Sequence, residues 1–423
     1  MVGSALLSLL LVGLGPGPGL PDDRGDDGPP APQAGGEGVP PVLVVMADDI
    51  GWELFRQART PNLDQLAARG TTFTRFWATP KCGPTRASLL TGRFHFRIGD
   101  GNGEAARQHR NRSLGLEEPY LPRTLGTEGT AAFGKWHLSS SDPLHPNRAG
   151  FEHFAGTLGN LNGSAYDSWP RIENGEEENC TGYATTVTTD DALASDAWFK
   201  YVAYHAAHTP FHDPPAELAP GTELDGTPEV QVLAMVEALD TELGRLFAAH
   251  EDGYVFFLTD NGTTGLVDGG KGTLQDEGIA VPLIVRGPGV REGVESDALV
   301  NVVDLYATIC ELRGIEPPAE AEDSVSFAGA LRGEPGNRAW NYTCLFREKT
   351  PNRRTEAVRT TDYKLIFSGD LIRINRPEPS GARRLFRMPG EVLIPFGEWS
   401  EEDRAAQAVL DEIRLSLRLE LDR

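Results

Sequence analysis

Two apolar runs end in residues that can hold a cation together. "PVLVVMADD" (41–49) closes on Asp48 and Asp49, and "YVFFLTDN" (254–261) closes on Asp260 and Asn261. Three carboxylates and one amide oxygen make a hard-donor set for Ca2+ or Mg2+, without the Cys and His that zinc prefers. Each pair taken alone reads as an ordinary turn after a strand, where Asp and Asn are favoured. A third stretch, "KCGPTRASLLTGR" (81–93), changes that reading. Pro84 suits the first turn of a helix running to Gly92. Cys82 then lies at or just before the helix N-terminus, where free N–H groups favour an anion. Arg86, one turn on, can reach back to the same spot. On these residues alone, Cys82 reads as a low-pKa, reactive thiol. The sharper form of that reading is a cysteine hydrolase with His137 or His208 as its base.

The elements that must position these groups follow from hydrophobic pattern. "TPNLDQLAARG" (60–70) is a helix, with Thr60 as N-cap, Pro61 in the first turn and Gly70 after the end. "WFKYVAYH" (198–205), 254–261 and "IAVPLIVRGPG" (279–289) are continuous apolar strands. Val232, Met235, Val236, Leu239, Leu243 and Leu246 recur at helical spacing between them. Such alternation predicts an α/β fold: a mostly parallel sheet flanked by helices on both faces, with ligands beyond the carboxyl ends of the strands. From about residue 336 the strands shorten, as in "YKLIF" (363–367), and an amphipathic helix follows near 401–420. A smaller C-terminal α+β domain is expected there.

The chain has 423 residues and a formal net charge of -23, which disfavours nucleic acid and anionic membranes as partners. "ALLSLLLVGL" (5–14) is too short to span a bilayer comfortably. It reads as the apolar part of a secretory signal, although flanking positive charges are missing. The expected organisation is a signal over 1–20, a Gly/Pro/Asp-rich linker over 21–40, a catalytic domain over 41–335 and the C-terminal domain over 336–423. The expected location is secreted or periplasmic. Four cysteines make no disulfide framework. Cys310 reads as core, and Cys180 and Cys344 are candidates to pair. Asn111 and Asn341 head Asn-x-Ser/Thr triplets. His95 and Arg97 are candidates to face substrate. Arg107, His109, Arg110 and Arg112 read as a solvated basic loop, with a groove for a polyanionic sugar as the alternative.

"CGPTRASLLTGR" resembles the signature of the type I sulfatase family, a Cys-x-Pro-x-Arg core followed by Leu-Leu-Thr-Gly-Arg. "MADDIGW", "TPNLDQLAARGTTFTRFWAT", "GKWHL" (134–138), "AAHTPFHDP" (206–214), "LTDNG" and "KGTLQDEGIAVP" resemble further family segments, so the likeness runs from about 42 to 367. The resemblance implies an alkaline-phosphatase-like fold and hydrolysis of sulfate monoesters on an aryl sulfate or a sulfated carbohydrate. It implies that a formylglycine-generating enzyme converts Cys82 to Cα-formylglycine, whose hydrate is the nucleophile. Asp48, Asp49, Asp260 and Asn261 would bind one Ca2+ or Mg2+ with residue 82. Arg86 would hold the diolate, and Lys135, His137, His208 and Lys271 would surround the sulfate group. Asp260 would take the proton of the attacking hydroxyl, His208, alone or with Lys271, would protonate the leaving alcohol, and His137 would deprotonate the second hydroxyl. Asp276, Glu277 and Gly278 stand where the family often has Glu-Gly-Gly, and Ala280 replaces a usual Arg, which loosens the expected placement of Lys271. Thr85 replaces a common Ser. Rival readings are a phosphonate or phosphate ester hydrolase of the same superfamily and a non-catalytic sulfoglycan-binding protein with Cys82 unmodified.

Overall fold

The computed structural model describes residues 38–98, 113–161, 166–347, 350–368 and 382–419. The apolar run at 5–14, Asn111 and the basic residues Arg107, His109, Arg110 and Arg112 lie outside the described residues. In chain order the first strands are β1 (Val42–Ala47), β2 (Thr71–Phe73), β3 (Phe76–Trp77), β4 (Thr130–Lys135), β5 (His153–Thr157), β6 (Ser168–Glu173), β7 (Glu176–Thr181), β8 (Phe199–Ala203), β9 (Tyr254–Thr259), β10 (Leu283–Arg286), β11 (Val294–Ser296) and β12 (Val300–Asn301). Ten of them form one sheet in the order β11-β2-β10-β9-β1-β8-β4-β5-β6-β7. The central run from β9 to β5 is parallel.

Buried parallel strands need apolar side chains on both faces. β1 meets that need along its whole length. Val42, Val44 and Met46 enter one core with Phe256, Leu258, Leu305 and Ile309. Leu43, Val45 and Ala47 enter the opposite core with Val236, Leu239 and Leu243 of the helix Pro228–Ala248. Each fully buried aliphatic side chain contributes about 1.5–3 kcal/mol. The central strands therefore make a stiff platform. Their register aligns Met46 with Ala203 and Leu258, and Ala203 with Gly134. The segments after β1, β4, β8 and β9 consequently leave the sheet along one edge. Gly134 (φ 83°) permits the close approach of β4 to β8, because a Cβ there would strike the carbonyl oxygen of Ala203.

The expected helix at 60–70 spans Pro61–Ala68, with Thr60 in the N-cap position. The Thr60 side chain makes no capping bond. Asp240 does the capping from the long helix: Oδ1 accepts from the Leu63 N–H at 2.8 Å and Oδ2 from the Asn62 N–H at 3.0 Å. Tertiary packing supplies what the local sequence was expected to provide.

The C-terminal part is a five-stranded antiparallel sheet, β13 (Asn341–Arg347), β14 (Thr350–Arg359), β15 (Tyr363–Ser368), β16 (Ala382–Arg387) and β17 (Val392–Ile394), joined in sequence order. The helix Glu401–Leu419 packs on it. Phe94 and Phe96, just past the Cys82 helix, insert into its core beside Tyr342, Leu365 and Leu410. This docking redirects two candidate substrate contacts. His95 is buried, with Nε2 3.1 Å from the Cys344 carbonyl oxygen. Arg97 Nε donates to Asp323 at 2.8 Å. Both residues tie the signature segment to structure, and neither is placed to receive a ligand. All four cysteines are free, so Cys180 and Cys344 do not pair. Cys310 is core, as its helical pattern predicts. Asn341 is fully buried and donates to the Val300 carbonyl at 3.1 Å, which removes it as a glycan acceptor. Among the described residues no helix is long and apolar enough to cross a membrane.

Asp240→Ala leaves two helix N–H groups unsatisfied inside the protein. We expect a stability loss of about 1–2 kcal/mol in urea unfolding.

Candidate active site

The strand ends carry most of the polar residues singled out from the signature segments. Asp48 and Asp49 follow β1, Lys135 ends β4 and His137 follows it, His208 lies in the loop after β8, and Asp260 and Asn261 follow β9. Cys82 opens the helix Cys82–Thr91, all of whose residues are buried. Gly92 in the left-handed region (φ 67°) terminates that helix.

Arg86 holds these elements together. Its guanidinium is fully buried and donates to Asp48 Oδ2 at 3.0 Å, to Asp260 Oδ2 at 2.9 Å and to the Lys135 carbonyl at 2.7 Å. Lys135 Nζ donates to Asp48 Oδ2. Lys271 Nζ lies 2.6 Å from Asp49 Oδ1 and 3.2 Å from Cys82 Sγ. Asn261 Nδ2 donates to the same Asp49 oxygen at 2.6 Å, and the Asp49 N–H donates to Asp260 Oδ1 at 3.1 Å. His208 Nε2 stands 3.8 Å from Asp49 Oδ2. Its Nδ1 is 2.7 Å from the Thr209 carbonyl oxygen. A carbonyl accepts only, so Nδ1 carries the hydrogen and Nε2 is the atom turned to the site. His137 stands apart from this list of contacts. Its ring is half-buried, its Nδ1 has no partner, and its charge state responds to Lys135, Arg86, Asp48 and Lys271.

The electrostatics sort these groups by role. Burial opposes ionisation of Asp48, but Lys135, His208, Arg86 and Lys271 together outweigh it and hold that carboxyl well below the usual range. Asp260 moves the other way. Burial, and then the charge on Asp48, push its carboxyl up to about 6 against the pull of Arg86 and Lys135. Burial, reinforced by Lys135 and Arg86, keeps His137 neutral by lowering its pKa well below the ordinary value. Lys271 is held protonated: burial opposes its charge, but Cys82, Asp49, Asp48 and Asp260 prevail. The Cys82 thiol is pushed up to about 11 by burial, with Asp48 and Asp260 adding to the shift. The low-pKa thiol expected from the helix N-terminus is therefore overturned. Desolvation beside two carboxylates outweighs the helix end and the neighbouring lysines. A cysteine hydrolase loses its nucleophile for the same reason.

A cation fits the donor set. Asp48 Oδ1 and Asn261 Oδ1 are buried and have no hydrogen-bond partner. Ligand atoms of Asp48, Asp49, Cys82 and His208 lie within 4.8 Å of one another. Orphaned buried oxygens beside clustered carboxylates are what a hard dication satisfies. The backbone is strained at the same place. Asp49 (φ 60°) and His137 (φ 64°) occupy the left-handed region, which costs of order 1 kcal/mol or more for each.

Three contributors were not singled out from the sequence. Thr85, noted only as a replacement for Ser, donates to the Asp260 carbonyl at 2.7 Å and accepts from the Thr79 N–H at 3.0 Å, pinning the Cys82 helix to β9's end. The Thr264 hydroxyl donates to Asp49 Oδ2. Thr263 Oγ1 accepts from the Gly51 N–H at 3.0 Å. The one available signal is the run of two threonines directly after "DNG". Of the remaining histidines, His205 bonds Thr157 at 2.8 Å inside the core, and His212 stacks on Tyr166 with ring centroids 4.2 Å apart. Arg93 bonds Glu118 at 2.8 Å and braces the helix end.

A mixed, mostly parallel α/β sheet with buried acids, amide and lysines converging beyond its central strand ends, and a small antiparallel sheet behind, defines an alkaline-phosphatase-like hydrolase fold. The profile of the sulfatase family matches residues 40–315, and the chain belongs to that family. It is 30% identical to N-acetylgalactosamine-6-sulfatase of Sus scrofa over 339 residues, 66% of this chain and 63% of that protein. It is 30% identical to arylsulfatase A of Bos taurus over 386 residues, 78% of this chain and 75% of that protein. The chain thus spans less than two thirds of the first of these relatives and three quarters of the second. Among solved structures it resembles Ps i-CgsB in complex with k-i-k-neocarrahexaose, with a TM-score of 0.69 and 25% identity over 82% of this chain and 86% of that one.

In chelator-treated protein with Cys82 unmodified, burial holds the thiol protonated well beyond the ordinary thiol range. Iodoacetamide should therefore label Cys82 far more slowly than a free thiol, and the rate should climb toward pH 11. Rapid labelling near pH 7 would refute the buried-thiol geometry.

Proposed function

We propose that the protein hydrolyses sulfate monoesters, with an aryl sulfate as reporter and a sulfated small molecule or glycan as the natural class of substrate. The observation that carries this reading is the position of Cys82 Sγ, 3.2 Å from the Lys271 ammonium and beside the buried carboxylates at two strand ends. An unactivated thiol there has little use. A formylglycine made from it by a formylglycine-generating enzyme, as the family resemblance implies, would have one.

Asp48, Asp49, Asp260 and Asn261 are the residues that would hold one Ca2+ or Mg2+. When present, the dication and the hydrated aldehyde at position 82 would supply positive charge against the ester oxygens and the nucleophilic hydroxyl. The chain's own groups account for the rest. Asp260, made more basic by burial, is suited to receive the proton of the attacking group. Lys271 and Lys135 stay within the cluster as fixed positive charges to offset charge on the sulfuryl oxygens. His208 turns Nε2 toward the site and, as the imidazolium with both ring nitrogens protonated, is the proposed donor to the leaving alcohol. Neutral His137, with its unpartnered Nδ1, is the proposed acceptor for the second proton. Arg86 is assigned to holding the acids in register, in addition to any contact with residue 82. The three carboxylates are matched by Arg86, Lys135 and Lys271, so an added dication leaves the site positive, which accords with an anionic substrate. Export, by secretion or to a periplasm, accords with the apolar run at 5–14.

Protein made in a host with the modifying enzyme should yield a peptide spanning Lys81 to Arg93 that is lighter by exchange of thiol for aldehyde. The same preparation should cleave an aryl sulfate, and Cys82→Ala should abolish turnover while the far-UV spectrum stays unchanged. An unmodified thiol, or binding of a sulfated glycan that is never cleaved, would point to a binding protein. Faster cleavage of a phosphonate ester than of the sulfate would point to the sister hydrolase class. Asp260→Asn should weaken cation affinity, measured by calorimetry, and lower the rate by at least about 100-fold; unchanged cation dependence would remove Asp260 from the site.

A further inference from the structure

Lys364 lies on β15 in the C-terminal sheet and is fully buried. Its ammonium pairs with Asp276 Oδ1 at 2.8 Å and with Glu391 Oε1 at 2.7 Å, and stands 5.0 Å from the centre of the Trp77 ring. Glu391 Oε2 accepts from the Asp276 N–H at 2.8 Å. The C-terminal sheet therefore grips Asp276 by side chain and by backbone at once. Asp276 opens the short helix Asp276–Ile279, which ends the loop that carries Lys271.

That loop has other ties as well: Leu274 and Ile279 pack with Trp77 and with Ala357, Ile366 and Phe386 of the C-terminal sheet, and the Ala78 N–H donates to the Ile279 carbonyl at 2.9 Å. The Gly262 N–H donates to the Gly278 carbonyl at 3.1 Å, the Lys271 N–H to Thr263 at 3.0 Å and the Gly272 N–H to Pro80 at 2.9 Å. Glycines flank Lys271 on both sides, so the backbone there has little intrinsic preference. A buried ion group between two domains is costly to assemble unless each charge is paired. Here one ammonium serves two carboxylates. Without it Asp276 and Glu391 lose their shared partner, and the more distant Arg359 guanidinium is left to offset their like charge.

We infer that Lys364 is a positioning residue for Lys271: through Asp276 and Glu391 the C-terminal sheet clamps the lysine loop onto Cys82. This rests on the reading that Lys271 acts on the sulfate group. It also explains how the loop is held although Asp276, Glu277 and Ala280 depart from the family pattern. The clamp is supplied from the other domain.

The test compares Lys364→Met, Asp276→Asn, Lys271→Ala and the two doubles with Lys271→Ala, all in full-length modified protein. Hydrogen exchange of the segment 262–280 reads the clamp without reference to activity. Exchange there should rise in Lys364→Met and Asp276→Asn, while β1 and β9 keep their protection. Turnover of the aryl sulfate should fall about 10- to 100-fold in each, the size expected when a catalytic group is displaced by about 1 Å. In the Lys271→Ala background either change should cost less than about twofold further, because a group that acts through Lys271 has nothing left to position. Unaltered exchange at 262–280, or losses that multiply in the doubles, would overturn the inference. If Lys364→Met does not fold, Asp276→Asn, a partly exposed site, carries the same comparison. If Lys271→Ala alone turns over at the wild-type rate, the role given to Lys271 fails, and the clamp is then decided by exchange alone.

Discussion

A guanidinium with no access to water governs the architecture of this site. Arg86 projects from the first helical turns after Cys82 and meets the ends of β1 and β9, through Asp48 and Asp260, and the end of β4, through the Lys135 carbonyl. Burying such a charge costs several kcal/mol unless its donors are taken up. Two carboxylates and a carbonyl take them up. The helix is thereby forced to begin at one place on the sheet edge, and Cys82 has no other position to occupy. Thr85, one residue earlier, repeats the link with a neutral hydrogen bond to Asp260's carbonyl.

The same arrangement explains why opposite pKa shifts coexist within one cluster. Asp48 receives Arg86 and Lys135 directly and is held ionised, whereas Asp260 shares Arg86, lies against Asp48 and is raised. Neighbouring acids driven apart in this way can take different roles, one fixed as an anion and one able to exchange a proton. The price is backbone strain at Asp49 and His137, which a rigid double-faced sheet is able to sustain. The platform under the site is stiff because β1 is apolar throughout, β8 and β9 are apolar apart from Lys200 and Thr259, and all three are covered on both faces.

Among the described residues, the C-terminal sheet braces the site indirectly. It receives Phe94 and Phe96 from the end of the Cys82 helix and grips Asp276 at the end of the lysine loop. Both contacts brace segments that carry site residues, yet no side chain of β13–β17 is among the polar contacts of Asp48, Asp49, Cys82 or Asp260 described above. Substrate selection by this part of the chain is thus a separate matter from the chemistry.

Local pattern was enough to read the central strands, the helices at 61–68, 82–91 and 228–248, and the polar residues that meet at the strand ends. Apolar runs and turn residues act over a few positions, and the family-like motifs are contiguous. The sequence by itself therefore determined the sheet class and most of the polar residues that converge beyond the strand ends. Tertiary structure decided everything that depends on distance between segments. It assigned the cap of the helix at 61–68 to Asp240 rather than Thr60 and turned His95 and Arg97 inward. It also kept Cys180 apart from Cys344 and linked Lys364 to the lysine loop. It reversed the expected acidity of Cys82, because a helix N-terminus is a local feature while burial beside Asp48 and Asp260 is set by residues distant in the chain.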